Sequence, residues 1–384
     1  MKNYIELLKD IKQNGVLKES RSGDTLSVFG RQLRWNMDDG FPLMTLKKVS
    51  FHNIAHELLW FLGAFDDEWK KFGNTNIRYL VDHNVHIWND DAYRGYLNKI
   101  HQNGNFNNLT FDEFYNAIDQ DMDTTWAIDN IHSKKSFIEL IKNDDEFALK
   151  FGELGDSYGA QWRRWKYYKR VDFVRGKFVE KQKDQIQNVI DRLKSSPLSR
   201  RHIVTAWNPE VVDELTLPPC HYGFTLNVQP LSEKERMKLY RTGDYSDGGV
   251  KLIGGTPSHK WINDYSTTPK YKLSLKWNQR SVDSPLGLPY NITSYATLLY
   301  VISHFTNMVP NDLICSLEDT HIYTNQLCAV DKLIEREDEL PPLPTFELVN
   351  MENVKTIDDI RFDNFQVNDY HPLSKVKAPL SVGL

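Results

Sequence analysis

The segment Leu215–Phe224 reads Leu-Thr-Leu-Pro-Pro-Cys-His-Tyr-Gly-Phe, so a cysteine follows two prolines and precedes a predicted strand, Phe224–Val228. Each proline has a fixed φ angle and no N–H donor, and the pair therefore holds Cys220 at the mouth of that strand. A thiol held there is a nucleophile if its pKa is lowered, because the thiolate is the reactive form. Free cysteine is also one of the most buried residue types, so an inert structural role is the alternative.

Three arginines accompany this cysteine in the sequence. Arg200 and Arg201 stand directly before a predicted strand, and Arg280 opens a later polar segment. Adjacent arginines at the start of a strand are usually solvated, but guanidinium groups also bind phosphate oxygens in pairs and stabilise a thiolate. His221 is a poor candidate for the base of Cys220, because neighbouring side chains of a strand point to opposite faces. A Cys/His protease is therefore not expected.

Composition limits the classes of protein that are compatible with the chain. Its 384 residues are 40% apolar and 26% charged, which is typical of a globular protein with a sizeable core. The net charge of −5 argues against a general nucleic-acid binder, so we expect no nucleic-acid partner and any basic site must be local. Three cysteines without a Cys-x-x-Cys pair fit a reducing, cytoplasmic setting and argue against a metal site. No apolar run is long enough to span a membrane.

Hydrophobic periodicity predicts both helices and strands along the chain, which indicates an α/β protein. We interpret residues 1–384 as a single domain with insertions at about 92–150 and 231–271, where polar composition replaces the regular pattern. The first insertion should be mostly helical and the second a loop or hairpin. Helices are predicted over 1–15, 51–62, about 184–194 and about 293–308, and strands over 24–35, 203–207, 224–228, 272–277 and 313–317.

Two polar side chains stand out on the predicted helices. Glu57 lies beside the apolar face of the helix between Ser50, a plausible N-cap, and Gly63, a plausible stop. A carboxylate placed there is paired or functional, unless it simply reaches solvent. Asn291 precedes the last apolar helix, where it either caps that helix or presents an amide to a ligand.

In combination, these features resemble the thymidylate synthase family, and the resemblance covers most of the chain outside the two insertions. Any one motif alone would be weak, but together they follow the family's order. The motifs are Arg21 with its glycine-containing turn, His56–Leu62, Tyr158–Arg163, Ser199–Arg201, Pro219–His221, Gln279–Ser281, Leu286–Asn291 and His321–Tyr323.

The resemblance implies a thymidylate synthase-like fold, a mixed α/β fold in which one mixed sheet is flanked by helices. It also implies a homodimer in which the sheets of two subunits pack together. It implies that dUMP and 5,10-methylenetetrahydrofolate bind, without a metal. The substrate-binding residues would be Arg21, Gln279, Arg280, Ser281 and Asn291, with His321 and Tyr323 at the deoxyribose and Arg200 and Arg201 contributed across the interface.

The resemblance also implies catalytic roles. Cys220 would add to C6 of the pyrimidine, and Asn291 would pair with the edge of the base. An amide can donate to O4 and accept from N3–H, which favours dUMP over dCMP. Glu57 would manage proton transfers through ordered water, and Tyr158 would lie near the departing C5 proton. Asp283 would meet the pterin, in a folate site that also includes Trp88, Asp91, Leu286, Gly287 and Tyr290.

The chain departs from the family at several positions that bear on the product. Asp91 stands where a second tryptophan is usual, and the C-terminus is about two residues longer than usual; other departures are Thr225, Asn278 and Glu318. The tryptophan pair and the C-terminus exclude water from a methylene intermediate attached to Cys220. Hydride transfer to this intermediate gives dTMP and dihydrofolate, whereas addition of water gives 5-hydroxymethyl-dUMP and tetrahydrofolate.

These departures favour water, as in the phage deoxyuridylate hydroxymethylases of this family, which would act in the host cytoplasm. Thymidylate synthase is the alternative function. A catalytically idle nucleotide-binding homologue is disfavoured, because Cys220, Glu57, Asn291 and the arginines are all present.

Overall fold

A six-stranded mixed sheet lies at the centre of the computed structural model, which describes residues 1–19, 23–104, 110–119, 131–172, 175–242 and 266–379. The strands are β1 (Val16–Lys18), β2 (Thr25–Asn36), β3 (Trp165–Asp172), β4 (Lys177–Lys183), β5 (Ile203–Thr205), β6 (His221–Pro230), β7 (Tyr271–Asp283), β8 (Val309–Tyr323), β9 (Thr345–Leu348) and β10 (Phe365–Asn368). The central sheet has the order β1-β2-β8-β7-β6-β5, and β7 and β8 are its one parallel pair among the described strands.

Helices surround this sheet. They are α1 (Lys2–Asn14), α2 (Phe51–Leu62), α3 (Asp67–Lys70), α4 (Arg78–Asp82), α5 (Asn89–Asn103), α6 (Phe111–Asp119), α7 (Lys134–Asn143), α8 (Asp145–Phe151), α9 (Tyr158–Arg164), α10 (Gln185–Ser195), α11 (Glu233–Thr242), α12 (Gly287–Thr306) and α13 (Leu327–Ile334). Buried apolar side chains from Tyr4 to Val376 form one hydrophobic cluster. The predicted α/β class with a mixed sheet is confirmed. Within the described residues, no helix combines the length and apolarity needed to cross a bilayer.

Helix α2 begins and ends where its sequence predicts. The hydroxyl of Ser50 accepts a hydrogen bond from the Asn53 N–H at 3.2 Å, and Gly63 adopts the left-handed conformation with φ of 66°. The N-cap satisfies one of the N–H groups that has no partner inside the helix, and glycine adopts positive φ without strain. These two residues therefore set the position of Glu57 along the sheet.

Helix α12 begins at Gly287, about six residues earlier than predicted. Gly287 and Pro289 are turn signals, but proline is tolerated in the first turn of a helix, where its missing N–H has no intrahelical partner anyway. The Asp283 carboxylate accepts a hydrogen bond from the Leu286 N–H at 2.9 Å and so holds the chain at the entry to the helix. Asn291 consequently lies inside α12 and is not its N-cap.

The predicted first insertion is helical as expected, but part of the second is not a loop. Helices α5 to α8 occupy most of 92–150, although α5 begins at Asn89, before the predicted boundary. In the second insertion α11 covers Glu233–Thr242, so the loop prediction is wrong there. The glycine-rich part of that insertion, Arg21 and the last five residues lie outside the described residues.

Replacing Leu298 by Ala tests the core on which α12 depends. Leu298 is fully buried, and removing a buried leucine side chain should lower the free energy of unfolding by about 2–5 kcal/mol. Urea unfolding followed by circular dichroism measures this loss. Leu198→Ala, at a position 58% exposed, is the control and should change stability by less than about 0.5 kcal/mol. Equal effects of the two variants would contradict the assignment of α12 to the core.

Candidate active site

Cys220 is held at the start of β6 by hydrogen bonds of its own backbone. Its N–H donates to the hydroxyl oxygen of Tyr158 at 2.6 Å, and its carbonyl accepts from the Arg280 N–H at 2.8 Å. The strand begins at His221, directly after the cysteine. The predicted position of Cys220 at the mouth of a strand is confirmed.

Arg280 is the arginine that reaches the thiol. One of its guanidinium nitrogens lies 3.8 Å from Cys220 Sγ. The same guanidinium donates to the carbonyls of Pro218 at 2.8 Å and Pro219 at 3.0 Å, and it lies over the Trp207 ring at 5.8 Å from the centroid. These contacts give the positive charge a fixed position beside the sulfur.

The pKa of the Cys220 thiol is nevertheless raised. Burial raises it most, Arg280 opposes the rise, and the charge of Asp91 adds to it. Among the described residues of one subunit, desolvation of the sulfur therefore outweighs its attraction to one guanidinium group, and the predicted lowering of the thiol pKa by arginines is not seen there.

An aromatic cluster encloses the other side of the cysteine. The Tyr158 ring stacks on His221 at 4.2 Å between centroids, and it also contacts Phe61 and Trp88. His221 Nδ1 lies 2.8 Å from the Tyr295 hydroxyl, and burial lowers the pKa of His221 to about 3. His221 is thus a neutral packing residue, which agrees with the expectation that it is not the base for Cys220.

Glu57 is paired rather than directed freely into solvent. The Trp88 indole N–H donates to its carboxylate at 2.7 Å. Burial raises the pKa of Glu57 from 4.5 to about 7, and the hydrogen bond from Trp88 limits that rise. Both protonation states are accessible near neutral pH, so the side chain can take up and release a proton.

Asp91 supplies a second carboxyl in the region of Glu57 and Trp88. It is the third residue of α5 and lies three positions after Trp88, so the two side chains share one side of the helix start. Burial raises the pKa of Asp91 to about 6; Asp90 adds to the rise and Arg94 opposes it. The charge of Asp91 also raises the pKa of Cys220, so the carboxylate acts electrostatically on the thiol.

Gln279 fixes the amide of Asn291. Its side-chain nitrogen donates to Asn291 Oδ1 at 3.0 Å and to the Ser281 carbonyl at 3.2 Å, and its oxygen accepts from the Trp277 indole N–H at 3.1 Å. Gln279 is only 3% exposed. The structure therefore places Gln279 behind Asn291 as a support and leaves the Asn291 NH₂ group as the exposed donor.

Asp283 links the entry of α12 to the C-terminal segment. Its two carboxylate oxygens accept from the Leu286 N–H and from the Gln326 amide, each at 2.9 Å. The Gln326 amide also donates to the carbonyl of Pro379 at 2.9 Å. Burial raises the pKa of Asp283. A carboxylate has about four acceptor positions, so two remain for further donors.

Other predicted folate-site residues lie along the path from Glu57 to Asp283. Gly287 is the first residue of α12. Burial raises the pKa of Tyr290, and the nearby charge of Glu57 adds to that rise. Contacts or charges therefore link several residues predicted for this site, which come from α2, the start of α5, the end of β7 and the start of α12.

Several residues predicted to contact the sugar or the phosphate lie at the ends of β7 and β8. Their parallel register pairs Ser281 with Asp319 and Asp283 with His321. His321 Nδ1 lies 3.1 Å from the Asp319 carboxylate, and the Tyr323 ring meets His321 edge-on at 5.2 Å. Ser281, His321 and Tyr323 thus lie at one end of the sheet.

Two predicted phosphate residues are not part of this cluster. Arg200 and Arg201 are exposed on the segment before β5. In the part of the chain that is described, no contact joins them to Cys220 or Arg280. Arg21 lies outside the described residues.

One departure from the family pattern, Glu318, has a partner inside the chain. The Tyr222 hydroxyl on β6 donates to the Glu318 carboxylate on β8 at 2.7 Å, across β7. Burial, the hydrogen bond to Glu318 and its charge raise the pKa of Tyr222 to about 12. Glu318 is therefore held by this contact between strands.

Sequence reasoning missed Trp207, Lys47 and Gln326. Lys47 is buried, its ammonium donates to the Pro285 carbonyl at 2.5 Å, and burial lowers its pKa to about 8. No periodicity or spacing in the sequence relates these residues to Cys220 or Asp283. Within the described residues, no group of three or more His, Cys, Asp or Glu side chains could hold a metal ion.

Glu57→Gln should stabilise the protein at alkaline pH. The pKa is about 7 in the folded state and 4.5 as a model value for the unfolded chain, so folding is penalised increasingly as pH rises from 4.5 to 7. The stability gain of the variant should be absent below that window and complete above it. Urea unfolding of both proteins across this range measures it. Glu146→Gln, at an exposed position, should show no such pH dependence.

The geometry agrees with the comparison to known families. The family model for thymidylate synthase matches residues 2–382, which is nearly the whole chain. This family carries out methylenetetrahydrofolate-dependent one-carbon transfer to C5 of dUMP. The match and the mixed α/β fold together establish that the chain belongs to the thymidylate synthase family.

Proposed function

We propose that this protein is a deoxyuridylate hydroxymethylase, which converts dUMP and methylenetetrahydrofolate into 5-hydroxymethyl-dUMP and tetrahydrofolate. The whole chain acts as one catalytic unit. The single observation that supports this choice of product is Asp91, a desolvated carboxyl whose charge raises the pKa of Cys220 and which stands where the family usually has tryptophan.

The phosphate of dUMP binds at the ends of β7 and β8. The phosphate is bound by Arg21, Arg280 and Ser281 of one subunit. The sugar is contacted by His321 and Tyr323. Arg200 and Arg201 of the partner subunit complete the phosphate site, which is consistent with their exposure outside the cluster of their own chain.

A homodimer built on the open face of the sheet makes this sharing possible. In β7, Leu273, Leu275 and Trp277 are buried, whereas the residues between them are only partly buried. Phe29 on β2 and Ile203 on β5 remain 75% and 59% exposed. A second sheet packed on this face would remove these side chains from water.

Cys220 is the nucleophile, and Asn291 reads the base. The Asn291 NH₂ group donates to O4, which draws electron density from C6 as Cys220 Sγ bonds to that carbon. Gln279 holds the amide in this orientation. Because burial raises the pKa of the free thiol, Cys220 gives its proton to ordered water as its sulfur bonds to C6 of the polarised pyrimidine.

Methylenetetrahydrofolate supplies the one-carbon unit at C5. The pterin is held by Asp283, Leu286, Gly287 and Tyr290. The Trp88 ring packs along one side of it. Glu57 exchanges protons with ordered water near O4 and the folate, a role that suits its pKa of about 7. Tyr158 lies beside Cys220 and faces the C5 proton that leaves.

Water then adds to the exocyclic methylene carbon. A C–O bond forms, the electron pair of the exocyclic double bond moves toward O4, and the water proton passes to Asp91. The C6–Sγ bond breaks as the C5=C6 double bond returns, which releases 5-hydroxymethyl-dUMP. A carboxyl with a pKa of about 6 is largely ionised at neutral pH and can accept this proton.

Thymidylate synthase is the second candidate, because every step before the methylene intermediate is shared. Trp88 favours this function, because its hydrogen bond to Glu57 holds one of the aromatic side chains proposed to exclude water from the folate site. A catalytically idle homologue is opposed by the intact contacts of Cys220, Glu57 and Asn291.

Cys220→Ala should reduce turnover by roughly 10³-fold or more while changing the dUMP dissociation constant little, because the phosphate and base contacts remain. Steady-state assays and calorimetric titration with dUMP measure the two effects. Cys328→Ala, at an exposed cysteine, is the control and should retain turnover. Turnover of the Cys220 variant within tenfold of the parent would remove Cys220 from the nucleophile role.

Asn291→Asp should weaken dUMP binding and admit dCMP, shifting the ratio of their kcat/KM values by roughly 100-fold or more. A protonated carboxyl offers the donor and acceptor arrangement that cytosine needs, and Gln279 can still donate to it. Competition between the two nucleotides measures the ratio. An unchanged preference for dUMP would show that Asn291 does not read the base.

Asp91→Trp should divert part of the flux from 5-hydroxymethyl-dUMP to dTMP. Water and hydride compete for one carbon, and a difference of ~1.4 kcal/mol between their barriers changes the product ratio tenfold. Mass spectrometry of the nucleotide together with dihydrofolate absorbance measures both products. Asp90→Trp, at the neighbouring position, is the matched control and should not change the product. Wild-type formation of dTMP in equal amount to dihydrofolate would make the protein a thymidylate synthase.

A further inference from the structure

A chain of hydrogen bonds crosses three neighbouring strands and ends at the proposed sugar site. Its members are Lys18 on β1, Ser27 on β2, and Asp319 and His321 on β8. The antiparallel register of β2 and β8 pairs Ser27 directly with His321. Residues two positions apart in a strand share one face, so Asp319 lies beside the His321 ring. The proposed reaction gives a role to His321 but none to Lys18 or Asp319.

The Asp319 carboxylate accepts hydrogen bonds at both of its oxygens. The Lys18 ammonium donates to Oδ2 at 2.7 Å, and the Ser27 hydroxyl donates to Oδ1 at 2.8 Å. The same ammonium also donates to Ser27 Oγ at 3.2 Å, which leaves the hydroxyl hydrogen for Asp319. Burial tends to raise the pKa of Asp319, but hydrogen bonds from Lys18, Ser27 and His321 outweigh burial and lower the pKa below its usual range. Asp319 is therefore an ionised acceptor.

This acceptor determines which nitrogen of the His321 ring carries hydrogen. His321 Nδ1 lies 3.1 Å from Asp319 Oδ1. A neutral imidazole has one N–H donor and one acceptor nitrogen, and an ionised carboxylate cannot donate, so the hydrogen belongs on Nδ1. In the part of the chain that is described, Nε2 has no hydrogen-bond partner. Nε2 is thus an acceptor that can serve a ligand.

The deoxyribose of a nucleoside 5′-monophosphate offers one donor to such an acceptor. Its ring oxygen accepts hydrogen bonds but cannot donate, its 5′-oxygen is esterified, and its 2′-carbon carries no hydroxyl. Only the 3′-hydroxyl has a hydrogen to give. An acceptor nitrogen at the sugar therefore distinguishes a free 3′-hydroxyl from a 3′-substituent that cannot donate.

We propose that Asp319 and Lys18 are positioning residues that fix the Nδ1–H tautomer of His321 and thereby make Nε2 the acceptor for the 3′-hydroxyl of the nucleotide. This inference rests on the proposed function, which places the deoxyribose of dUMP at His321. Both residues act through the histidine. An ammonium group only donates, so Lys18 keeps an oxygen of residue 319 directed toward itself.

Asp319→Asn should invert the tautomer, because asparagine has the same shape but one of its terminal groups is a donor. Lys18 attracts the amide oxygen, so the NH₂ group faces His321 Nδ1 and donates to it, and the ring hydrogen moves to Nε2. NMR of the histidine ring nitrogens in the full chain without nucleotide, above neutral pH, identifies the tautomer, and the signals lost in His321→Gln assign it. The parent should carry hydrogen on Nδ1 and the variant on Nε2.

Binding of 3′-deoxy-3′-fluoro-dUMP measures the consequence for specificity, since fluorine cannot donate a hydrogen bond. In calorimetric titrations of the parent, its dissociation constant should be roughly tenfold above that of dUMP, which corresponds to one lost hydrogen bond. In Asp319→Asn the two nucleotides should bind within about threefold of each other, because Nε2–H can donate to either substituent. Asp331→Asn is the matched control: it removes the carboxylate from another Lys–Asp pair, formed with Lys12, and should leave the tautomer and the preference unchanged.

Lys18→Met in the Asp319→Asn background tests the role of Lys18. Without the ammonium group, the amide can turn its oxygen toward the ring, so hydrogen should return to Nδ1 in a measurable fraction of the molecules. The same NMR experiment measures that fraction. A double variant that keeps hydrogen on Nε2 would overturn the role of Lys18.

The proposal as a whole is overturned if the parent carries hydrogen on Nε2 or on both ring nitrogens, if Asp319→Asn keeps the parent's tautomer, or if the parent binds the two nucleotides equally. The first and third of these tests use the parent alone, so they hold even if a variant fails to fold by circular dichroism. The tautomer is measured without nucleotide and is independent of the reaction product. A parent that does not bind dUMP would instead contradict the proposed function.

Discussion

The parallel pairing of β7 with β8 is the constraint on which the rest of the site depends. Parallel neighbours cannot be joined by a tight turn and need a crossover, which here is α12. Since the crossover must cover the sheet, α12 is apolar around most of its circumference and buries 14 of its 20 residues. The same connection brings Asn291, near the start of α12, against Gln279 on β7, and the parallel register aligns Ser281 with Asp319. Nucleotide contacts that are far apart in the chain thus meet at one end of two strands.

Desolvation determines the charge state of this region in the free protein. It raises the pKa of Cys220 and raises the pKa values of Glu57 and Asp91 to about 7 and about 6, so both carboxyl groups can exchange protons near neutral pH. An enclosed site strengthens each electrostatic contact that a ligand later makes, because less water competes for it. The proposed choice between water and hydride follows from the same physics, since replacing a tryptophan by Asp91 adds both a proton acceptor and an affinity for water to the wall.

Much of the polar machinery is held by residues that themselves face the interior. Gln279 orients Asn291, Trp88 donates to Glu57, and Gln326 joins Asp283 to the C-terminal segment. Each support satisfies a buried polar group that would otherwise cost free energy, and at the same time limits the rotamers of the functional side chain. The site therefore depends on these supporting contacts as well as on the residues that would touch the ligands.

The sequence alone determined the α/β class, the bounds of α2 through Ser50 and Gly63, and the position of Cys220 before β6, because these follow from periodicity and from proline and capping chemistry that act within a few residues. Motif order further indicated the family and the residues of its site. Only the tertiary structure decided that Arg280 reaches the thiol among the described arginines, that burial outweighs that charge, that Asn291 lies within a helix, and that β3 and β4 pair as an exposed hairpin. These depend on distances between segments far apart in the chain and on the exclusion of water, which no local pattern encodes.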